Sequence, residues 1–145
     1  MVRMQNFKKI ANLWLPVIVW MSVIFAFSSM QVGSASEFYW KDFIVKKTAH
    51  LIEYGILATL FYRGLINSNI EKKKAMWCSV LFAFIYGLTD EFHQSFTPGR
   101  GPKFTDVLID TTGASIFIFG IVANIKKMPK FIQKIYSKYA IVLNY

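Results

Sequence analysis

The chain has 145 residues, of which 54% are hydrophobic and only 17% are charged. Soluble domains usually carry about 25% charged and about 45–50% apolar residues, so this composition indicates a membrane protein and leaves little sequence for a soluble module. The net charge of +9 does not indicate a nucleic-acid partner, because a basic excess beside long apolar runs is explained by orientation in a bilayer. The single cysteine, Cys78, excludes an intramolecular disulfide and a cysteine-based metal cluster.

Four apolar runs follow one another along the chain, and they cover residues 13–27, 48–66, 75–92 and 107–125. The first lies within a stretch from 10 to 36 that contains no charged residue. A helix of about 20 predominantly apolar residues crosses a bilayer, so the sequence predicts an all-α, polytopic membrane bundle of about four transmembrane helices with short connections. The small residues at 33–35 also allow a cleaved signal peptide, but the first run is longer than the usual apolar core of such peptides.

Lysine and arginine are distributed unevenly between the two ends of this predicted bundle. The side that holds both termini has twelve of them: Arg3, Lys8, Lys9, Arg63, Lys72, Lys73, Lys74, Lys126, Lys127, Lys130, Lys134 and Lys138. The other side has five: Lys41, Lys46, Lys47, Arg100 and Lys103. Positively charged loops stay on the cytoplasmic side of a membrane, so we expect both termini to be cytoplasmic.

A basic tail, residues 128–145, follows the predicted transmembrane domain of residues 1–127. Its lysines alternate with Phe131, Ile132, Ile135 and Tyr136 at helical spacing, which separates a basic face from an apolar face. We expect this tail to lie on the inner leaflet and to contact anionic lipid. The alternative is a helix that binds a protein partner.

Ionisable residues are concentrated where the predicted spans meet the outer face of the membrane. They are His50, Glu53, Asp90, Glu91, His93, Asp106 and Asp110. Such groups are costly in a membrane and usually mark a functional cluster that faces the bundle interior. Within each helix, spacings of three or four residues place a pair of polar side chains on one face. Glu91 is offset by about 100° from Asp90, so we expect these two carboxylates to have different environments.

The loop between the third and fourth spans presents Arg100 between the dipeptides Pro98-Gly99 and Gly101-Pro102. Proline and glycine favour tight turns, so this arginine is expected on a rigid loop, where its guanidinium can hold a phosphate or carboxylate with two hydrogen bonds. The alternative is a structural salt bridge to one of the nearby acids. The histidines and carboxylates could also ligate a metal, but no metal-binding motif is present and the basic loop favours an anionic ligand.

These residues resemble the VanZ-like family of small bacterial membrane proteins. The matching stretches are residues 25–29 (FAFSS), 47–54 (KTAHLIEY), 90–100 (DEFHQSFTPGR) and 106–113 (DVLIDTTG). The family often has glutamine directly after the serine pair, where this chain has Met30, and valine at the position of Thr97. Neither difference affects an ionisable position. The resemblance implies a multi-pass protein of the bacterial plasma membrane with a role in the cell envelope and in resistance to teicoplanin and related lipoglycopeptides.

We therefore expect a protein that acts on, or binds, an anionic lipid or lipid-linked envelope precursor, with its polar site facing the extracellular side. The candidate catalytic residues for acid–base chemistry are His50, Glu53, Asp90, Glu91 and His93, and the candidate substrate-binding residues are Gln94, Arg100, Asp106 and Asp110. The alternatives are a non-catalytic lipid-, antibiotic-interaction or lipid-transport protein and a structural subunit whose charges hold helices together. The sequence assigns no cofactor, no metal ligand and no oligomeric state.

Overall fold

The structure is a computed structural model that describes residues 2–29, 39–97, 101 and 103–138. These residues form five α-helices and no β-strand: α1 (Val2–Ser28), α2 (Tyr39–Asn67), α3 (Lys72–Gln94), α4 (Phe104–Ser115) and α5 (Lys130–Lys138). A π-helical segment, Ile116–Val122, continues α4 directly, and a 3-10 turn at Ile125–Lys127 leads to α5. The all-α fold expected from the sequence is confirmed for the described part of the chain.

Hydrogen bonds from side chains to the backbone fix the direction of α2 relative to α1. The indole Nε1 of Trp20 donates to the carbonyl oxygen of Glu53 at 2.9 Å. Nearer the start of α1, the guanidinium of Arg63 donates to the carbonyl oxygen of Asn12 at 3.1 Å. Early residues of α1 therefore meet late residues of α2, and the two helices are antiparallel.

α3 returns in the direction of α1. The hydroxyl of Tyr86 donates to the carbonyl oxygen of Met21 at 2.7 Å. Further along both helices, the ring of His93 lies on that of Phe25, with 4.1 Å between the ring centroids. α1 and α3 are therefore parallel, and α2 runs back beside them over the same depth.

Three helical segments are long and apolar enough to cross a membrane: Ile10–Ser28, Lys72–Gln94 and Phe104–Val122. α2 has 29 residues, which at 1.5 Å per residue extend about 43 Å, and its charged residues lie mostly near its two ends. Because α2 lies alongside the spanning segments, the arrangement agrees with a bundle of about four membrane helices. Its interior is filled by fully buried side chains such as Ile24, Leu57, Tyr62 and Ile118.

α2 and α4 approach each other most closely at two glycines. A Cβ atom on Gly113 would lie 2.1 Å from the carbonyl oxygen of Leu51, and one on Gly55 would lie 2.4 Å from the ring of Phe117. Small residues allow this close approach of membrane helices. The two contacts are almost equally spaced along both helices, so α4 runs parallel to α2 and the four helices alternate in direction.

The turn from α2 to α3 is a Schellman motif centred on Asn69. The backbone N–H of Ile70 donates to the carbonyl of Leu65, and that of Asn69 donates to the carbonyl of Ile66, both at 3.1 Å. Asn69 has a φ of 63°, a left-handed conformation that asparagine adopts more readily than most residues. The carbonyl groups at the end of α2 are thereby satisfied within a short connection.

Candidate functional site

The candidate residues lie at one end of the bundle, where α1 and α3 end and where α2 and α4 place their first buried turns. This is the convergence that the helix directions require. The structure describes eight of the nine sequence-predicted site residues: His50, Glu53, Asp90, Glu91, His93, Gln94, Asp106 and Asp110. Arg100 lies outside the described residues.

His50 of α2 and Asp110 of α4 meet in the interior of this end. The Nδ1 atom of His50 is 3.4 Å from Oδ1 of Asp110, and the two side chains are 18% and 2% exposed. This distance is longer than that of an ordinary N–H···O hydrogen bond. The close packing of Gly113 on Leu51, one turn along each helix, places the two side chains opposite each other.

Gly87 of α3 brings a third helix against the same carboxylate. A Cβ atom at this glycine would lie 3.6 Å from Oδ2 of Asp110 and 3.6 Å from the ring of Tyr54. Asp90 is one helical turn after Gly87 and is buried. The inner cluster, defined as His50, Tyr54, Asp90 and Asp110, is therefore built by α2, α3 and α4 together.

Two atoms of the inner cluster are buried without a hydrogen-bond partner among the described residues. They are Oδ1 of Asp90 and the hydroxyl oxygen of Tyr54. The other carboxylate oxygen of Asp90 accepts a hydrogen bond from Nε2 of Gln94 at 2.8 Å, so Gln94, predicted to bind substrate, holds Asp90 in place. Glu53, half-buried one turn after His50, interacts electrostatically with His50, Asp90 and Asp110.

Glu91 and Asp106 connect helix ends. The Oε2 atom of Glu91 accepts a hydrogen bond from the backbone N–H of Lys103 at 2.7 Å, which places a carboxylate at the start of α4, where the helix dipole favours negative charge. Asp106 forms an ion pair with Lys47 of α2. Both acids thus have structural contacts besides the catalytic and binding roles expected of them.

His93 faces α1 through its stacking on Phe25, and its two rings are inclined by 32°. Its Nδ1 atom is buried and has no hydrogen-bond partner within the described ranges. Residues 2–29, 39–97, 101 and 103–138 contain no group of three or more His, Cys, Asp and Glu side chains placed to hold a metal ion.

The charges at this end are arranged in two layers. The carboxylates of Asp90, Glu91 and Asp110 are buried, whereas the side chains of Lys46 and Lys103 are exposed. We call these two lysines the basic rim. An anion approaching this end therefore meets positive charge first.

Sequence reasoning did not identify Lys47, Tyr54 or Gly87 as parts of the site. Lys47 is three residues before His50 and Tyr54 four residues after it, so helical spacing already placed both on the same face. Gly87 gave no signal, because a glycine in an apolar run shows what it contacts only once the neighbouring helix is known.

Residues 13–126 match the model of the protein family described as VanZ/LLP1. The match covers most of the chain and includes the described residues of the inner cluster and the rim. No curated protein and no solved structure shows a significant match to the chain.

Proposed function

The chain belongs to the VanZ/LLP1 family of membrane proteins, and we propose that it binds an anionic lipid or lipid-linked envelope precursor at the outer leaflet of the bacterial plasma membrane. The observation that carries this proposal is the inner cluster. A buried polar group without a partner costs about 1–3 kcal/mol, and Asp90 and Tyr54 each bury one. Ionisable groups at such depth in a membrane bundle are best explained by a ligand that uses them.

The basic rim supports an anionic headgroup as that ligand. Lys46 and Lys103 are exposed at the mouth of the site, and an ammonium group attracts phosphate as a point charge. Arg100 follows Gly99 and precedes Gly101 in the same connection, and we propose that its guanidinium adds a second kind of phosphate contact.

Exposed aromatic side chains next to the rim support a lipid as the bearer of that headgroup. Phe92 and Phe96 form an edge-to-face pair with ring centroids 5.2 Å apart, and Phe104 is also exposed. An amphiphile can place its headgroup on the lysines and its chains along these rings. The positive-inside distribution supports an extracellular position for this end.

Acid–base catalysis is the second candidate function, and the contact between His50 and Asp110 favours it. A buried carboxylate beside an imidazole orients the ring and stabilises its protonated form. His50 is then the group that exchanges a proton with the headgroup, Asp110 is its positioning partner, and His93 and Glu53 complete the walls. Membership of the family also supports a role in resistance to teicoplanin, which we propose as the physiological consequence of binding an envelope precursor.

Retention of phosphatidylglycerol by the purified protein tests the binding proposal. The protein is reconstituted in phosphatidylcholine nanodiscs containing some phosphatidylglycerol, and native mass spectrometry counts the anionic lipids that remain bound. Lys46→Gln combined with Lys103→Gln should weaken retention by roughly ten-fold per lost charge contact. The matched control, Lys73→Gln with Lys74→Gln at the opposite end, should not. Equal retention in both variants would contradict the proposal, and release of a product from labelled lipid would identify an enzyme.

A further inference from the structure

The end of the bundle opposite the candidate site is strongly basic. Its exposed lysines are Lys73, Lys74, Lys126, Lys127, Lys130 and Lys134. Of the eight acids in the sequence, Glu71 alone falls in the segments that form this end, and its carboxylate is 3.7 Å from the ammonium of Lys74. The lysines of α5 and of the turn before it therefore face no described acid that could neutralise them.

α5 is fixed against the bundle by two sets of contacts. Before it, Nε2 of Gln133 donates to the carbonyl oxygens of Met128 at 2.7 Å and Lys126 at 3.2 Å, which folds the helix back on the preceding turn. At its other end, Tyr136 is only 8% exposed and belongs to the hydrophobic core, and its hydroxyl is hydrogen-bonded to that of Thr59 in α2. Burial raises the pKa of the Tyr136 hydroxyl, and the hydrogen bond offsets part of that shift. The tyrosine stays neutral at physiological pH.

This attachment sets the depth of α5. Thr59 lies about two helical turns before the end of α2 at Asn67. A helix bound there lies beside the last turns of α2, at the boundary between the membrane interior and the cytoplasmic surface.

The remaining surface of α5 divides into an apolar and a basic strip. Phe131 is 72% exposed and Ile135 is 39% exposed. They are four residues apart and lie on one strip, about 100° from the docked strip of Ile132 and Tyr136. Lys130 forms the next strip with Lys134, about 100° further round. In sequence around the helix, the three strips suit protein, acyl chains and headgroups.

We infer that α5 is an interfacial anchor that binds anionic lipid of the inner leaflet, with Phe131 and Ile135 among the acyl chains and the lysines on the phosphates. Charge complementarity selects this partner, because the inner leaflet supplies phosphate at the height at which Tyr136 holds the helix. Lys126 and Lys127, in the turn before α5, extend the same basic strip. The anchor is at the opposite end from the proposed binding site and does not depend on it.

An environment-sensitive fluorophore on α5 tests this anchor in the full-length protein. The chain carries Cys78→Ser, so that the label attaches only at Phe131→Cys, and it is reconstituted in nanodiscs of phosphatidylcholine alone or with phosphatidylglycerol. We expect a blue-shifted emission when phosphatidylglycerol is present, and we expect high salt to reverse the shift. Identical emission in the two lipid compositions would overturn the inference. So would a shift that appears only when an acidic protein is added.

Lysine substitutions separate the anchor from general basicity. Each of Lys126→Gln, Lys127→Gln, Lys130→Gln and Lys134→Gln should weaken the lipid response about five-fold, and together they should abolish it. Lys73→Gln with Lys74→Gln, at the same end but outside α5, should leave it unchanged. If the quadruple variant does not fold, as judged by helix content, the single variants still decide the matter: four unchanged responses would overturn the inference.

Discussion

The two ends of the bundle use charge in opposite ways. At the end with the inner cluster, Asp90 and Asp110 are buried between helices, and lysines stand at the rim. At the other end the lysines are exposed, and the buried groups, such as Tyr136 and Ile125, are neutral. An exposed lysine at a membrane surface needs only lipid phosphate as a partner, whereas a buried carboxylate is retained at a cost in stability. The comparison indicates that the acidic end carries the selected function and the basic end orients and anchors the protein.

The largest expected effect separates the helices that build the acidic end. Gly113→Val would place a side chain 2.1 Å from the backbone of Leu51, and a carbonyl group in a helix cannot move aside. We expect loss of folded, membrane-inserted protein, measured by size-exclusion profile and protease resistance. Gly120→Ala is the matched control, because its new Cβ would meet only Ile116 at 3.9 Å. A Gly113→Val protein as stable as this control would show that α2 and α4 are not in close contact.

Removal of one buried charge should affect stability next most strongly. Asp110→Ala leaves His50 facing an empty, desolvated position, and breaking a buried pair in this way costs about 3 kcal/mol. Replacement of an exposed lysine at the basic end, Lys130→Ala, should stay within about 0.5 kcal/mol. Chemical denaturation in detergent micelles measures both. Similar values for the two variants would remove the contrast between the ends.

Variants that retain shape test whether the acidic end serves chemistry or structure. His93→Ala, Glu53→Gln and Arg100→Ala should each abolish the activity or lipid-dependent resistance phenotype while abundance in the membrane stays near normal. If the charges only hold the helices together, the same variants should lower abundance instead, and replacing Glu53 together with its charged partner by apolar residues should restore it. Abundance and phenotype measured on the same cells distinguish the two outcomes.

The smallest effect is expected from the basic end. Deletion of residues 129–145 should weaken contact with anionic lipid but leave lipid retention at the acidic end intact, because the two lie on opposite sides of the bilayer. Tyr136→Phe, which removes only the hydroxyl bonded to Thr59, should lower stability by about 1 kcal/mol. Complete loss of function in a truncated protein that still inserts normally would show that the ends are coupled.

The sequence predicted the helices well because apolar runs are the strongest signal a membrane helix gives. α2 begins at Tyr39, well before the predicted start at residue 48, because charged residues such as Lys46 end a hydropathy run without ending a helix. The tail was predicted to be an amphipathic helix, and α5 covers Lys130–Lys138. The bond from Tyr136 into the bundle was not predictable, because it depends on how the chain turns back after Pro129.

The candidate site was predicted as a set of residues but not as a set of pairs. Spacings of three and four residues indicate which side chains share a face, and the alternating helix directions indicate which end they reach. They do not state that Lys47 meets Asp106 or that His50 meets Asp110, because such pairs depend on the register between α2 and α4. That register is set by Gly55 and Gly113, whose role is visible only in the packed structure.

The π-helical segment Ile116–Val122 gives α4 a second consequence. Its hydrogen bonds close over one more residue than those of an α-helix, so the segment absorbs a change of angular register between the outer and inner halves of the same span. Asp106 and Asp110 precede it, and the turn towards α5 follows it. A single-residue insertion or deletion within the segment should therefore rotate only the cytoplasmic half, so that the acidic end can keep its geometry while lineages alter the length of the membrane crossing beneath it.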